Sequence, residues 1–178
     1  MTIFLSGGAK NGKSSLAQDL AVKLSGDGPR YYVATMIPVD EEDRRRIRLH
    51  VADRAGMGFQ TVECGRHILS CLNGTDRNGT FLLDSVTALL MNEMFHDGQI
   101  DKTAGERCAC EISRFVRSVN NAVIVSDAIY SDAARYDEIT EQYRAALAMA
   151  DRAAAEACDT VIEMVSGLPI IYKGGLPE

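Results

Sequence analysis

Gly7-Gly8-Ala9-Lys10-Asn11-Gly12-Lys13-Ser14 fits the pattern G-x-x-x-x-G-K-[ST], and it directly follows the apolar run Ile3-Phe4-Leu5. A buried strand that delivers the chain to a glycine-rich turn, with Ser14-Ser15-Leu16-Ala17 opening a helix behind it, is the context a phosphate-binding Walker A loop needs. Gly7, Gly8 and Gly12 are expected to allow backbone conformations that a side chain would forbid, so that successive N–H groups converge on phosphate oxygens. The positive end of the following helix adds to that attraction. In such a loop Lys13 reaches the β- and γ-phosphates and the Ser14 hydroxyl ligates Mg²⁺. The rival reading, a glycine-rich turn with a chance lysine, explains neither the strand before it nor the helix after it. The stretch therefore predicts a nucleoside triphosphate site at Gly7, Gly8, Ala9, Lys10, Asn11, Gly12, Lys13 and Ser14.

Outward from the loop, strand-like and helix-like segments alternate. A first helix is expected over about Lys13 to Ser25, and the turn Gly26-Asp27-Gly28-Pro29 leads into a β-rich run, Tyr31 to Thr35. Asp40 then caps a strongly charged helix from Glu41 to about Arg54, with Ile47 and Val51 as its inner stripe, and Phe59 to Glu63 reads as a short strand. Thr80-Phe81-Leu82-Leu83, ending in Asp84, and Ala122-Val123-Ile124-Val125, ending in Ser126-Asp127, read as buried parallel strands. A long helix is expected over about Asp132 to Cys158, packed through Tyr136, Ile139, Tyr143, Leu147 and Ala150; Thr160 to Val165 and Ile170-Ile171-Tyr172 close the chain. Alternating β and α elements predict an α/β P-loop NTPase fold, a mostly parallel sheet with helices on both faces.

The 178 residues suit one such domain spanning 1–178, with no Pro/Gly/Ser-rich linker dividing it. A formal net charge of -6 argues against nucleic acid as the main partner, while a local loop can still bind a small phosphorylated ligand. Five cysteines at irregular spacing, without C-x-x-C, suggest neither a disulfide framework nor a zinc site, and Cys108-Ala-Cys110 reads as helix packing. No signal peptide precedes the loop and no apolar run approaches membrane-spanning length, so the expected compartment is the cytoplasm.

Two acidic strand ends compete to hold or orient the Mg²⁺. Asp84 has the cleaner apolar run before it, with helix capping as its alternative role; Asp127 is the weaker candidate, a turn or cap being as good a reading. In the charged helix the arginines read as a solvated face. His50 sits beside the Ile47–Val51 stripe, where a histidine is more often an edge residue than a catalytic one.

Taken together, GGAKNGKS, Tyr32-Val33-Ala34-Thr35, Arg46-Ile47-Arg48-Leu49-His50 with Arg54, Thr61-Val62-Glu63-Cys64, Leu82-Leu83-Asp84-Ser85-Val86-Thr87 with Asn92, and Val165-Ser166-Gly167 resemble the bifunctional adenosylcobinamide kinase/adenosylcobinamide-phosphate guanylyltransferase family of cobalamin biosynthesis. The resemblance spans nearly the whole chain in order. It implies a RecA-like core, a trimer, adenosylcobinamide and its phosphate as substrates with GTP or ATP, and covalent attachment of GMP to His50. It also implies nucleotide contacts from the P-loop, from Ala34, Thr35 and Met36, and from Arg54, Glu63 and Asp84. The chain departs from the family at Leu49, where a second histidine is common, and at Asp84, where glutamate is. It departs further after Val125: an Asn-Glu-Val-Gly segment is common there, and this chain reads Ser126-Asp127-Ala128-Ile129-Tyr130.

The residues suit both implied reactions. Phosphorylation of a hydroxyl needs mainly positioning and charge stabilisation by the loop, Lys13 and Mg²⁺. Guanylyl transfer needs a nucleophile, and imidazole, with an ordinary pKa of about 6.5, is largely neutral at cellular pH. Two other readings stay open at this level: a P-loop kinase for another small hydroxyl compound, and a non-catalytic nucleotide-dependent switch. Only the bifunctional enzyme requires His50 to carry GMP.

Overall fold

Nine strands and five helices follow one another in the computed structural model of the chain, which describes residues 1–177; Glu178, the last residue of the expected domain, lies outside the described residues. The strands are β1 (Thr2–Gly7), β2 (Arg30–Ala34), β3 (Phe59–Glu63), β4 (Thr80–Asp84), β5 (Phe95–His96), β6 (Gln99–Ile100), β7 (Asn121–Val125), β8 (Thr160–Val165) and β9 (Leu168–Lys173). The helices are α1 (Lys13–Ser25), α2 (Glu41–Asp53), α3 (Val86–Met94), α4 (Ala104–Ser118) and α5 (Glu138–Ala157).

Seven strands make one sheet in the order β3-β2-β4-β7-β1-β8-β9, parallel throughout except for β9. The exception has a local cause. Ser166 and Gly167 both adopt positive φ, 51° and 83°, which is the geometry of a tight hairpin turn, so β9 folds straight back on β8.

Strand alternation decides which helix covers which face. Ile3 and Leu5 of β1, with Leu82, Val123 and Val125, pack on Ala17, Leu20 and Ala21 of α1. The residues between them, Phe4, Phe81, Leu83, Ala122 and Ile124, face α3, α4 and α5 through Leu89, Ile112, Phe115 and Leu147. Each large side chain buried this way contributes about 1.5–3 kcal/mol, so the double-faced strands carry most of the stabilisation. On the second face α4 and α5 approach closely: a Cβ on Gly105 would lie 2.8 Å from the Cβ of Ala146.

Two helices differ from the sequence expectation. Helix α5 begins at Glu138, not near Asp132, because the Asp137 carboxylate accepts the Thr140 N–H and starts the helix there. Upstream, Ser131–Asp137 forms a loop that Arg144 ties down through the Asp132 carboxylate, and Tyr136 stacks on that guanidinium rather than packing in the core; Tyr136 and Ile139 are exposed. Helix α2 has no buried residue, so the expected inner stripe is absent: Ile47 is half-buried and Val51 exposed. It stands over the carboxyl ends of the strands instead of on a face of the sheet. Its cohesion comes from the Asp40 cap, worth about 1 kcal/mol, and from exposed pairs such as Arg48–Glu41, which solvent screens.

The cysteines are free; Cys108 packs in the core as expected, but Cys110 is exposed and does not. No helix among the described residues is long and apolar enough to cross a membrane.

Candidate active site

A parallel sheet opens its crevice at the carboxyl ends of its strands, and it is there that β1, β2, β3, β4 and β7 deliver the chemistry-bearing residues. Gly7 adopts φ 143°, and a Cβ there would come 2.6 Å from the Met164 carbonyl oxygen, so glycine is required. Gly12, at φ 89°, is the residue before α1 and must also be glycine. Gly8 differs from expectation: its φ is not positive and a Cβ would meet nothing within 4 Å. Asn11 closes the loop onto β8 by donating from Nδ2 to the Met164 carbonyl.

Lys13 is nearly buried, and its ammonium donates to the Gly8 carbonyl at 2.6 Å and pairs with the Asp127 carboxylate at 2.8 Å. The loop holds its cation inside the crevice. Asp84, at the end of β4, accepts the Tyr32 hydroxyl at 2.9 Å. Burial pushes its carboxyl above the ordinary carboxylate range, partly offset by the Tyr32 hydrogen bond and by the charge of His50, and the nearby Asp127 carboxylate adds to the rise. Capping of α3 falls to Ser85, whose side chain accepts the Ala88 N–H, so Asp84 is free of that task.

Arg54 lies just beyond α2, with its guanidinium 3.8 Å over the Tyr32 ring and one nitrogen donating to Thr61 Oγ1. Its other terminal nitrogen is buried and without a hydrogen-bond partner, as is Nδ1 of His50. Buried unpaired polar groups are costly, and both of these side chains belong to residues that border one cavity.

One cavity of about 1410 Å³ connects these groups. Its wall includes Ala9, Lys10, Asn11, Gly12, Lys13 and Ser14 of the loop, Ala34 at the end of β2 and Met36 beyond it, His50 and Arg54 around α2, Glu63 at the end of β3, and Asp84 and Asp127. That volume exceeds the several hundred Å³ of a usual small-ligand site and leaves room for two substrates. Gly7, Gly8 and Thr35 are not part of the wall. Thr35 is fully buried, and its hydroxyl donates to the Ser85 carbonyl and accepts the Ser85 N–H, tying β2 to the start of α3.

Sequence reasoning missed Tyr32 as a site residue and undervalued Asp127. Tyr32 reads as an ordinary strand tyrosine; only the pairing of β2 with β4, which sets Tyr32 beside Leu82 and Ala34 beside Asp84, reveals its partner. No local signal could have found it.

A family model described as cobinamide kinase / cobinamide phosphate guanyltransferase matches residues 3–171. The bifunctional adenosylcobalamin biosynthesis protein CobU of Salmonella typhimurium is 27% identical over 186 residues, spanning 97% of this chain and 100% of that protein. The bifunctional adenosylcobalamin biosynthesis protein CobP of Pseudomonas aeruginosa is 31% identical over 169 residues, spanning 94% of this chain and 95% of its own. Among solved structures, an ATPase domain superposes with a TM-score of 0.56 at 12% identity, covering 99% of this chain and 78% of that one. A KaiC-like protein of Pyrococcus horikoshii does so with a TM-score of 0.51, also at 12% identity, covering 97% and 79%. At such identities the structural likeness speaks for the fold alone, the P-loop ATPase arrangement with its RecA-like core.

Proposed function

The chain belongs to the cobinamide kinase/cobinamide phosphate guanyltransferase family, and on that premise we propose how its residues divide the two reactions. The enzyme phosphorylates adenosylcobinamide with a nucleoside triphosphate and then transfers GMP from GTP to the product, giving adenosylcobinamide-GDP. In our reading both reactions use one triphosphate site. Loop N–H groups and Lys13 neutralise the phosphates, Arg54 reaches the ligand with its unpaired nitrogen, and Ala34, Met36 and Glu63 line the nucleotide's path. Thr35 contributes by holding that path in place.

His50 is the nucleophile of the transferase step. The imidazole attacks the α-phosphorus of GTP, the bond to pyrophosphate breaks, and the phosphate of the corrinoid substrate later displaces GMP from the ring. The observation that carries this is the placement of His50 in the wall of the cavity that also contains Lys13. Neither a simple kinase nor a switch has use for it.

Ser14 and Asp84 would hold Mg²⁺. The fit is chemical: a hydroxyl and a carboxylate are the hard oxygen donors this ion takes, and both residues line the same cavity. When bound, the ion spreads the charge of the phosphates.

The proposal extends to a single domain, a cytoplasmic enzyme and the family's trimer; the outer strand β9, with Leu168, Ile170, Ile171 and Tyr172 exposed, offers apolar surface for a subunit contact. Incubation of the protein with adenosylcobinamide, GTP and Mg²⁺, followed by mass analysis, is expected to give the phosphate ester first and the GDP derivative second. The phosphate ester as sole product would leave a kinase without the transferase.

A further inference from the structure

Strand order sets how far each carboxylate lies from the phosphate loop. Neighbouring strands are about 4.8 Å apart, so the ends of β3, β4 and β7 stand roughly 19, 10 and 5 Å from the end of β1. Glu63 is thus too distant to meet a γ-phosphate held by the loop, and Asp84 is intermediate. Asp127 lies beside the loop itself. The chain beyond β7 is hydrogen-bonded along β1 and into the loop, with Ser126 N donating to the Leu5 carbonyl at 3.0 Å and Ala128 N to the Gly7 carbonyl at 3.1 Å. Between them Asp127 N donates to Thr87 Oγ1 at 2.9 Å, and its carboxylate meets Lys13 Nζ at 2.8 Å. The far end of the segment is anchored too, since the Tyr130 hydroxyl donates to Asp151.

We propose that Asp127 is the catalytic base of the phosphorylation step, an inference that rests on the kinase half of the function proposed above. When a triphosphate draws Lys13 to its β- and γ-phosphates, the carboxylate that now touches this lysine is left beside the γ-phosphorus, where the attacking hydroxyl must sit. A third of the Asp127 side chain is accessible, so a substrate can reach it. Asp84, in contrast, accepts the Tyr32 hydroxyl on one oxygen and is assigned above to Mg²⁺ with the other. The corrinoid hydroxyl oxygen forms a bond to the γ-phosphorus while the bond from that phosphorus to the bridging oxygen breaks. The bridging electron pair leaves with the nucleoside diphosphate, and the hydroxyl proton passes to an Asp127 oxygen and then to water. Position 127 matters for this chain in particular. Asp127 supplies the only carboxylate between Ser126 and Tyr130.

Asp127→Asn keeps the shape and removes the proton acceptor. Corrinoid phosphorylation at saturating nucleotide is expected to fall on the order of a hundredfold, and to fall far more than the rate at which GMP loads onto His50, which requires no hydroxyl deprotonation. Asp127→Glu, which restores a carboxylate on a longer stem, is expected to recover part of the loss, and thermal melting of both variants controls for folding. Phosphorylation as fast as wild type in Asp127→Asn would overturn the inference. An equal fall in both reactions would overturn it as well, since that is the signature of a residue that only holds Lys13. A raised Mg²⁺ requirement in both reactions would do the same in favour of a metal role. Wild-type protein that phosphorylates no corrinoid would instead refute the underlying function.

Discussion

Replacing His50 with alanine is expected to abolish formation of the GDP-corrinoid while leaving corrinoid phosphorylation largely in place. The two reactions share the loop, Lys13 and the cavity, but only guanylyl transfer passes through a bond to the protein. Loss of a covalent nucleophile removes its whole pathway, so a decrease on the order of 10⁴ or more in guanylyl transfer is expected. Phosphorylation needs the triphosphate held and its charge stabilised, neither of which calls on the imidazole. Product analysis by mass checks both halves at once: the phosphate ester should accumulate and the GDP derivative should not appear. His67 and His96 serve as controls. His67 lies by Glu93 and His96 by Asp97, and neither is in the cavity wall, so their replacement should leave both products unchanged. Continued GDP-corrinoid formation by His50→Ala would refute the assignment of the nucleophile.

Lys13→Ala is expected to cost both reactions, because each holds a triphosphate on the same loop. The lysine is nearly buried, donates within the loop and pairs with Asp127. Its removal deletes the positive charge that meets the phosphates and leaves the Asp127 carboxylate unopposed beside them, so repulsion is added to lost attraction. A single preorganised donor to developing charge is worth about 10²–10³ in rate, and a loss of at least that size is expected in each reaction, measured as single-turnover rates of phosphorylation and of GMP loading. A variant that lost one reaction and kept the other would mean that the two triphosphates bind in different places.

What was legible in the sequence was what local order dictates. The run Ile3-Phe4-Leu5, the glycine loop and the helix behind it are contiguous, and β1, the loop and α1 follow as read. The Asp40 cap was equally local. Less legible was anything set by which strands become neighbours. Asp127 and Asp84 both end apolar strands and look alike in sequence; β7 pairs directly with β1 and β4 does not, which sets Asp127 against Lys13 and Asp84 against Tyr32. The Arg54–Tyr32 stack joins α2 to β2 across the crevice for the same non-local reason. Periodicity misled at α2, because a helix that roofs a cavity carries an apolar stripe without burying it, and at the start of α5, where the Asp137 cap overrides the spacing of Tyr136 and Ile139. Strands of two residues, β5 and β6, are too short for any pattern to announce.

The central claim is that this protein carries GMP on His50, and labelling tests it without any corrinoid. Incubated with Mg²⁺ and GTP labelled at the α-phosphate, then denatured, the protein should retain label on the peptide containing His50. The bond should be labile in acid and stable in alkali, as a phosphorus–nitrogen bond is and a serine ester is not, and label at the γ-phosphate should not remain. Protein that binds GTP and Mg²⁺ yet retains no α-label, or retains it on a peptide without His50, would contradict the account.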